Sequence, residues 1–490
     1  MPEQSGKQAG MLINGRWRGR QTGTTTKVIE VSAPYNGRVI GLIPEAGKRD
    51  VEDAVEAAAT AFKNAGLSPC DRYDILLKTS RLIDEKKEEI ARTLAEEAGK
   101  PIKDARIEVS RAVQTFLISA EEAKRIHGEG IPVEAARGSE NRVAFTIRVP
   151  VGPVCAISPF NFPLNLVAHK VGPAIAAGNT VVLKPASVTP LTAINLGKIM
   201  MEAGLPPGYL NIIFGPGGTV GEWLLSDPRF ALYTFTGSPS VGRRLREAIG
   251  LRRAILELGS NSATIIHSDA DIEKASHACV RAAYAYAGQV CISLQRILLH
   301  RDIKGKFLDI FIPAVERLKL GDPLDDDTDV GPMITEEAAI KAEEWIREAV
   351  SNGAKLLTGG DRKGNMVKPA VLTNVDSGMK VVCQEVFAPL VTIQEYNTIE
   401  EAIDMVNDSE YGLQAGIFTS DINIAFKAAK ELKVGGVIVN DTSMYRVDAM
   451  PYGGVKNSGA GREGPKYAIE EMTDLKIVVF NLSIKGSFSQ

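Results

Sequence analysis

At 490 residues the chain exceeds the roughly 250–300 residues at which a single hydrophobic core stops growing, so two or three domains are expected. Its 44% hydrophobic and 24% charged residues are those of an ordinary globular protein, and a net charge of −3 from interspersed acids and bases supplies no field favouring nucleic acid or an anionic membrane. The N-terminal MPEQSGKQAG has no apolar h-region and no run reaches the ~18 apolar residues of a spanning helix, so the chain reads as cytoplasmic, with neither a membrane nor a nucleic-acid partner.

In chain order, residues 51–66 and 71–98 carry apolar side chains at helical spacing and predict two amphipathic helices. The β-branched stretch 142–157 predicts strands interrupted at Pro150 and Gly152. A helix over 165–177, closed by Gly178, then leads into the apolar strand 180–184. A helix over 191–203, a strand over 210–214, a helix over 218–226 and a strand over 231–236 continue the alternation of a doubly wound parallel sheet. A second alternating series starts at Ser262 with a strand over 262–266, a helix after Asp271, a strand over 296–300 and helices over 303–318 and 335–352, and implies a second α/β domain joined near Glu257–Gly259. The β-prone tail TDLKIVVF is expected to pair with residues 142–148 or with a neighbouring subunit.

Five cysteines (Cys70, Cys155, Cys279, Cys291, Cys383) with no CxxC pair, and five histidines with no HExxH, suggest neither a disulfide framework nor a metal site. His127 and His169 read as structural histidines. Cys291 lies between a predicted helix and a predicted strand, where local dipoles can keep a thiol reactive, although a cysteine taken alone is more often a small buried hydrophobe. Glu257 sits in an apolar stretch at the domain join, where burial would raise its pKa toward that of a general base, against the alternative of a strand-edge charge. Asn161, in PFNFP, could donate its amide to an oxyanion or be a turn residue before a proline. Gly237–Gly242, between a strand and a helix, has the small residues that admit a pyrophosphate, and Lys184 at a strand end could reach ribose hydroxyls or be a surface lysine.

With PFNFP (159–163), KPA (184–186), FTGS with Gly242, LELG (256–259), GQVC (288–291), EVFAP (385–389) and PYGGVKNSG (451–459) in this order, the chain resembles the aldehyde dehydrogenase superfamily along nearly its whole length, in the lactaldehyde and non-phosphorylating glyceraldehyde-3-phosphate dehydrogenase-like branch. The resemblance implies an α/β architecture of two Rossmann-type doubly wound domains plus a small β oligomerisation element. Its parts would be a dinucleotide-binding domain (1–127 and 148–257), a catalytic domain (258–435), a return to the cofactor domain (436–471) and oligomerisation strands (128–147 and 472–490). It further implies Cys291 as nucleophile, Glu257 as general base and Asn161 as oxyanion donor, with Ser158, Lys184, Ser187, Gly237, Ser238, Gly242, Leu258, Glu385 and Phe387 as contacts to NAD or NADP. Ser260 and Ala388 stand where the family usually has glycine, and Ser187 stands where many NAD-preferring members have a glutamate that repels a 2′-phosphate, so NADP use is expected beside NAD.

The expected reaction is oxidation of a small aldehyde to its carboxylate, through a thiohemiacetal and a thioester hydrolysed by Glu-activated water. Arg106 and Arg446 resemble substrate-side positions and would hold the anionic end of a short aldehyde such as lactaldehyde, phosphonoacetaldehyde or sulfolactaldehyde, unless each makes a structural salt bridge. Val290 replaces the arginine that glyceraldehyde-3-phosphate specialists resemble one another in having before the cysteine. The alternatives are a CoA-acylating semialdehyde dehydrogenase, which would lack Glu257, and a non-catalytic structural or binding relative; a homodimer or homotetramer is expected.

Overall fold

The computed structural model describes residues 7–8, 10–19, 27–64 and 66–482. The first helix runs over Lys48–Asn64, but the stretch 71–98 forms two helices, Pro69–Glu85 and Lys87–Ala98. The break falls at Lys86, whose φ −99 and ψ 14 leave the helical range; periodicity carries across such a break because both segments face the same core.

The first large sheet has the order Gly459–Ala460, Arg253–Glu257, Leu232–Thr236, Val154–Ile157, Val181–Lys184, Leu210–Ile212, Met11–Ile13, Arg16–Arg18, and its five inner strands from Arg253–Glu257 to Leu210–Ile212 are parallel. The parallel strands begin at Val154–Ile157 and wind outward in both directions, so the strand order reverses between Val154–Ile157 and Leu232–Thr236, where doubly wound sheets open a crevice at the carboxyl ends. Apolar side chains on both faces of these strands are covered by helices, and Asn165–Ala177 is buried along its whole length.

In the second sheet Ala370–Thr373, Leu390–Tyr396, Arg296–His300, Ala263–Ile266, Gln414–Phe418 and Gly436–Val439 run parallel. Gly436–Val439 thus extends this sheet past the boundary expected at residue 435, a limit that composition alone does not mark. The chain passes from the carboxyl end of Arg253–Glu257 into the amino end of Ala263–Ile266 through residues 258–262, and this short link joins the two sheets.

Gly130–Ile131, Arg142–Pro150 and Thr473–Asn481 form a third, antiparallel sheet, in which Thr473 pairs with Pro150 and Asn481 with Arg142. The expected tail pairing is therefore made within the chain; residues 483–490 of that tail lie outside the described residues. No helix among the described residues is long and apolar enough to cross a membrane.

Candidate active site

Cys291 follows three consecutive residues with left-handed backbone, Tyr286 (φ 48), Ala287 (φ 53) and Gly288 (φ 68). For the two that carry a Cβ this conformation costs about 1–3 kcal/mol each and persists only where surrounding contacts hold it. Tyr286 donates its hydroxyl to the Ala98 carbonyl (2.7 Å), Gln289 Oε1 accepts from Ile334 N (2.9 Å), and Ser443 Oγ donates to the Ile292 carbonyl (3.0 Å). Gly288 lies so close to the Ala388 backbone that a Cβ there would sit 2.2 Å from its carbonyl oxygen. Cys291 Sγ, aimed by this loop, is 2.9 Å from the hydroxyl of the buried Tyr452. Burial pushes the thiol up to about 11, opposed by the Tyr452 hydrogen bond and the charge of Arg446.

Asn161 Nδ2 donates to the carbonyl of Gln289 (2.9 Å), beside the nucleophile, which leaves its second amide hydrogen for another acceptor. The Asn161 carbonyl in turn accepts from the buried ammonium of Lys100 (2.7 Å), itself paired with Glu108. Glu108 Oε1 accepts from Leu164 N (2.9 Å) and Asn165 N (3.1 Å), supplying the cap that helix Asn165–Ala177 does not provide for itself.

Glu257 is the last residue of its strand; it is buried, and neither carboxyl oxygen has a protein partner. Burial first, then the nearby Glu463, raise its pKa well above the usual carboxylate value. Glu463 accepts from Lys170 (3.1 Å) and Arg446 (3.1 Å), the three side chains all buried, so the trio carries one net positive charge. Burial works against the Glu463 charge, but Lys170 and Arg446 outweigh it. Arg446 stacks its guanidinium over Tyr452 at 3.6 Å and so stands behind the thiol. A cavity of about 390 Å³ is lined by Lys274, Arg281, Asp441, Tyr445 and the same Arg446 that covers Tyr452.

The residues expected to meet a dinucleotide gather at the carboxyl ends of the first sheet. Ser158 and Gly237 flank the crevice at the strand-order reversal; the Ser158 hydroxyl is buried without a protein partner. Lys184 ends the next strand, with only the Pro185 carbonyl (3.4 Å) accepting from it and burial holding its pKa down at about 8. Ser238 caps helix Pro239–Ile249 through Val241 N (3.4 Å), and a Cβ on Gly242 would lie 2.5 Å from the Leu258 side chain, so this helix N-terminus approaches the sheet closely. Glu385 accepts from Ser260 N (2.9 Å) and is raised by burial to about 7; Phe387, left-handed at φ 55, packs edge-on against Phe160 at 5.9 Å. An unfilled hydroxyl, a weakly bonded ammonium and a helix N-terminus around one crevice fit a dinucleotide's ribose and pyrophosphate. Ser187 donates to the Gly215 carbonyl (3.0 Å).

Arg106 is not brought to this group. It is half exposed and pairs with Glu88 and Asp326, which makes the structural salt bridge the reading the geometry favours. Arg106 lies on the helix Ile102–Ala123, and the arginine of that helix that reaches the site is Arg111, bonded to Asp448 by two nitrogens (3.2 and 2.8 Å). Sequence reasoning passed over Tyr452, Lys170, Glu463, Arg111, Asp448 and Lys100. The legible signal was Lys170, a cation in the mostly apolar NLVAHKVGPAIAA, which a buried helix tolerates only with a partner. His169, read as structural, is buried here with Nε2 2.9 Å from Asp448 Oδ1.

The doubly wound sheet, its crevice and a loop-borne cysteine beside an unpartnered carboxyl define a dinucleotide-dependent enzyme of the thiol-using kind. The chain belongs to the aldehyde dehydrogenase family, whose model matches residues 20–478. It is 54% identical over 476 residues, 97% of this chain and 98% of the relative, to a 3-sulfolactaldehyde dehydrogenase of Priestia aryabhattai. Among solved structures it is similar to aldehyde dehydrogenase 21 of Physcomitrella patens in complex with its product succinate (TM-score 0.95, 39% identity, covering 98% of this chain and 100% of that one). It is also similar to the glyceraldehyde-3-phosphate dehydrogenase GapN of Methanocaldococcus jannaschii complexed with NADP (TM-score 0.89, 43% identity, covering 92% and 99%). The protein is an NAD(P)-dependent aldehyde dehydrogenase that oxidises a small aldehyde to the carboxylate.

Proposed function

We propose that the substrate is a short 2-hydroxyaldehyde with an anionic far end, of the sulfolactaldehyde type, oxidised through a thioester on Cys291. The observation that carries the hydrolytic chemistry is Glu257, a buried carboxyl with no partner on either oxygen beside a thiol-bearing loop. Cys291 attacks the aldehyde carbon as thiolate, and the Tyr452 hydroxyl and the Arg446 charge favour that thiolate. The free amide hydrogen of Asn161 and the Cys291 N–H receive the oxyanion. Bound NAD(P), held by Ser158, Lys184, the Gly237–Gly242 turn and Glu385, supplies the hydride acceptor. Glu257, whose proton affinity burial raises, acts as a carboxylate and takes a proton from the water that hydrolyses the thioester. The anionic end of the substrate meets Lys274, Arg281 and Arg446 along the cavity wall, where the single acid Asp441 leaves positive charge in excess. The relative acting on 3-sulfolactaldehyde supports this choice of substrate.

The test is Glu257→Gln with sulfolactaldehyde and NAD(P): one equivalent of NAD(P)H forms in a burst, intact-mass spectrometry finds an acyl adduct on Cys291, and steady turnover falls about 10²–10⁴-fold. Turnover near the wild-type rate, or no adduct, would refute the assignment; acyl transfer to added CoA would favour the acylating alternative.

The third sheet supports a homo-oligomer. Val143, Phe145 and Phe480 are exposed on one of its faces and Leu475, Ile477 and Val479 on the other, too much apolar surface for a sheet in water on both sides. The edge strand Gly436–Val439, with Val439, Ile422 and Phe426 exposed beside it, is the complementary surface that a second copy would offer. Light scattering should give an integral multiple of the 52.7 kDa chain, and Phe480→Asp with Ile477→Asp should lower that mass.

A further inference from the structure

Besides the Glu257 carboxyl, His169 and Arg446 each bury a polar atom without a protein partner, and the two atoms are of opposite kinds. Asp448 accepts from Arg111 and from Asn165 Nδ2 (3.0 Å) and lies 2.9 Å from His169 Nε2. Burial works against its charge, but His169 and Arg111 outweigh burial and hold the carboxyl far below its usual range. A carboxylate only accepts, so Nε2 carries the proton. Burial and then the Arg446 charge lower the imidazole's pKa and keep the ring neutral, which leaves Nδ1 as an acceptor without a donor. Arg446 spends one terminal nitrogen on Glu463, and its Nε is a buried donor without an acceptor. The two side chains act on each other electrostatically, and the Arg446 plane covers Tyr452, whose hydroxyl touches the cysteine sulfur.

The ligand group that satisfies a lone acceptor and a lone donor together is a hydroxyl, which gives one hydrogen and accepts another. We propose that His169 Nδ1 and Arg446 Nε read the hydroxyl on the carbon next to the substrate's aldehyde carbon, the hydroxyl donating to Nδ1 and accepting from Nε. This rests on the reading of the enzyme as a 2-hydroxyaldehyde oxidiser and assigns the recognition to named atoms. An aldehyde lacking the hydroxyl leaves both atoms unpaired in a dry site, and that penalty is the source of selectivity. Two atoms fixed on neighbouring elements also distinguish the two hands of the carbon bearing the hydroxyl.

The experiment measures kcat/KM for L-lactaldehyde, D-lactaldehyde and propionaldehyde with the wild-type enzyme, His169→Leu and His169→Asn. The wild type should prefer one lactaldehyde enantiomer over propionaldehyde about 10- to 100-fold. The leucine variant should bring both the hydroxyl ratio and the enantiomer ratio to within about threefold of unity. The asparagine variant, with an amide oxygen near the place of Nδ1, should restore part of both. Propionaldehyde measured alongside normalises any effect on the thiol itself. Equal rates for lactaldehyde and propionaldehyde in the wild type, or ratios that His169→Leu leaves unchanged, overturn the assignment while leaving the aldehyde dehydrogenase chemistry intact. If the leucine variant does not fold, wild-type ratios above tenfold that shrink in the asparagine variant support the assignment, and unchanged ratios overturn it. Absence of NAD(P)H with all three aldehydes and with sulfolactaldehyde refutes the underlying 2-hydroxyaldehyde reading and the assignment with it.

Discussion

Tyr452→Phe removes one atom, the hydroxyl 2.9 Å from Cys291 Sγ, and leaves the ring that Arg446 covers at 3.6 Å. A hydrogen bond to a charged group contributes about 1.5–3 kcal/mol, and one pKa unit corresponds to about 1.4 kcal/mol, so the thiol should rise by about 1–2 units. Starting from about 11, the thiol is protonated at neutral pH, so alkylation of the wild type should climb with pH up to that value and the variant's profile should move to still higher pH. At fixed pH near 8 the thiolate fraction falls about 10- to 100-fold. A more basic thiolate is also a better nucleophile, with a Brønsted slope of about 0.4–0.5, so the net loss of rate is roughly 3- to 10-fold. The assay is iodoacetamide alkylation followed by mass spectrometry of the Cys291 peptide across pH 7 to 10.5, which separates this thiol from the exposed Cys70 and Cys383. A variant profile that coincides with the wild type, or moves to lower pH, would refute the view that Tyr452 acts as a donor to the sulfur.

Two further expectations concern backbone and cofactor. Gly288→Ala would place a Cβ 2.2 Å from the Ala388 carbonyl oxygen at φ 68, so the nucleophile loop must shift; activity should fall at least about 10²-fold, and thermal melting should show a loss of about 1–3 kcal/mol. Ser187→Glu places a carboxylate on the expected 2′-phosphate side and should raise the KM for NADP about 10-fold with little change for NAD; equal changes for both would remove Ser187 from the 2′-position.

The chain order of strand and helix signals was enough to set out the doubly wound architecture, because hydrophobic period and glycine stops are local properties: helix 165–177 and its stop at Gly178 could be read directly from sequence. The break at Lys86 and the sheet membership of Gly436–Val439 could not, since the first leaves the apolar period intact and the second depends on which neighbour a short strand finds. Cys291, Glu257 and Asn161 each had a structural reading when taken alone, and the ordered motifs of the family resemblance gave them their roles. Arg106 and Arg446 looked alike in sequence, and only the fold separated them, facing one toward Glu88 and Asp326 at the surface and stacking the other on Tyr452 behind the thiol. The same holds for Lys170, Glu463, Asp448 and His169, whose pairings span up to 293 residues of chain. A buried charge is defined by its partner, and sequence separation carries no information about which partner the packed core supplies.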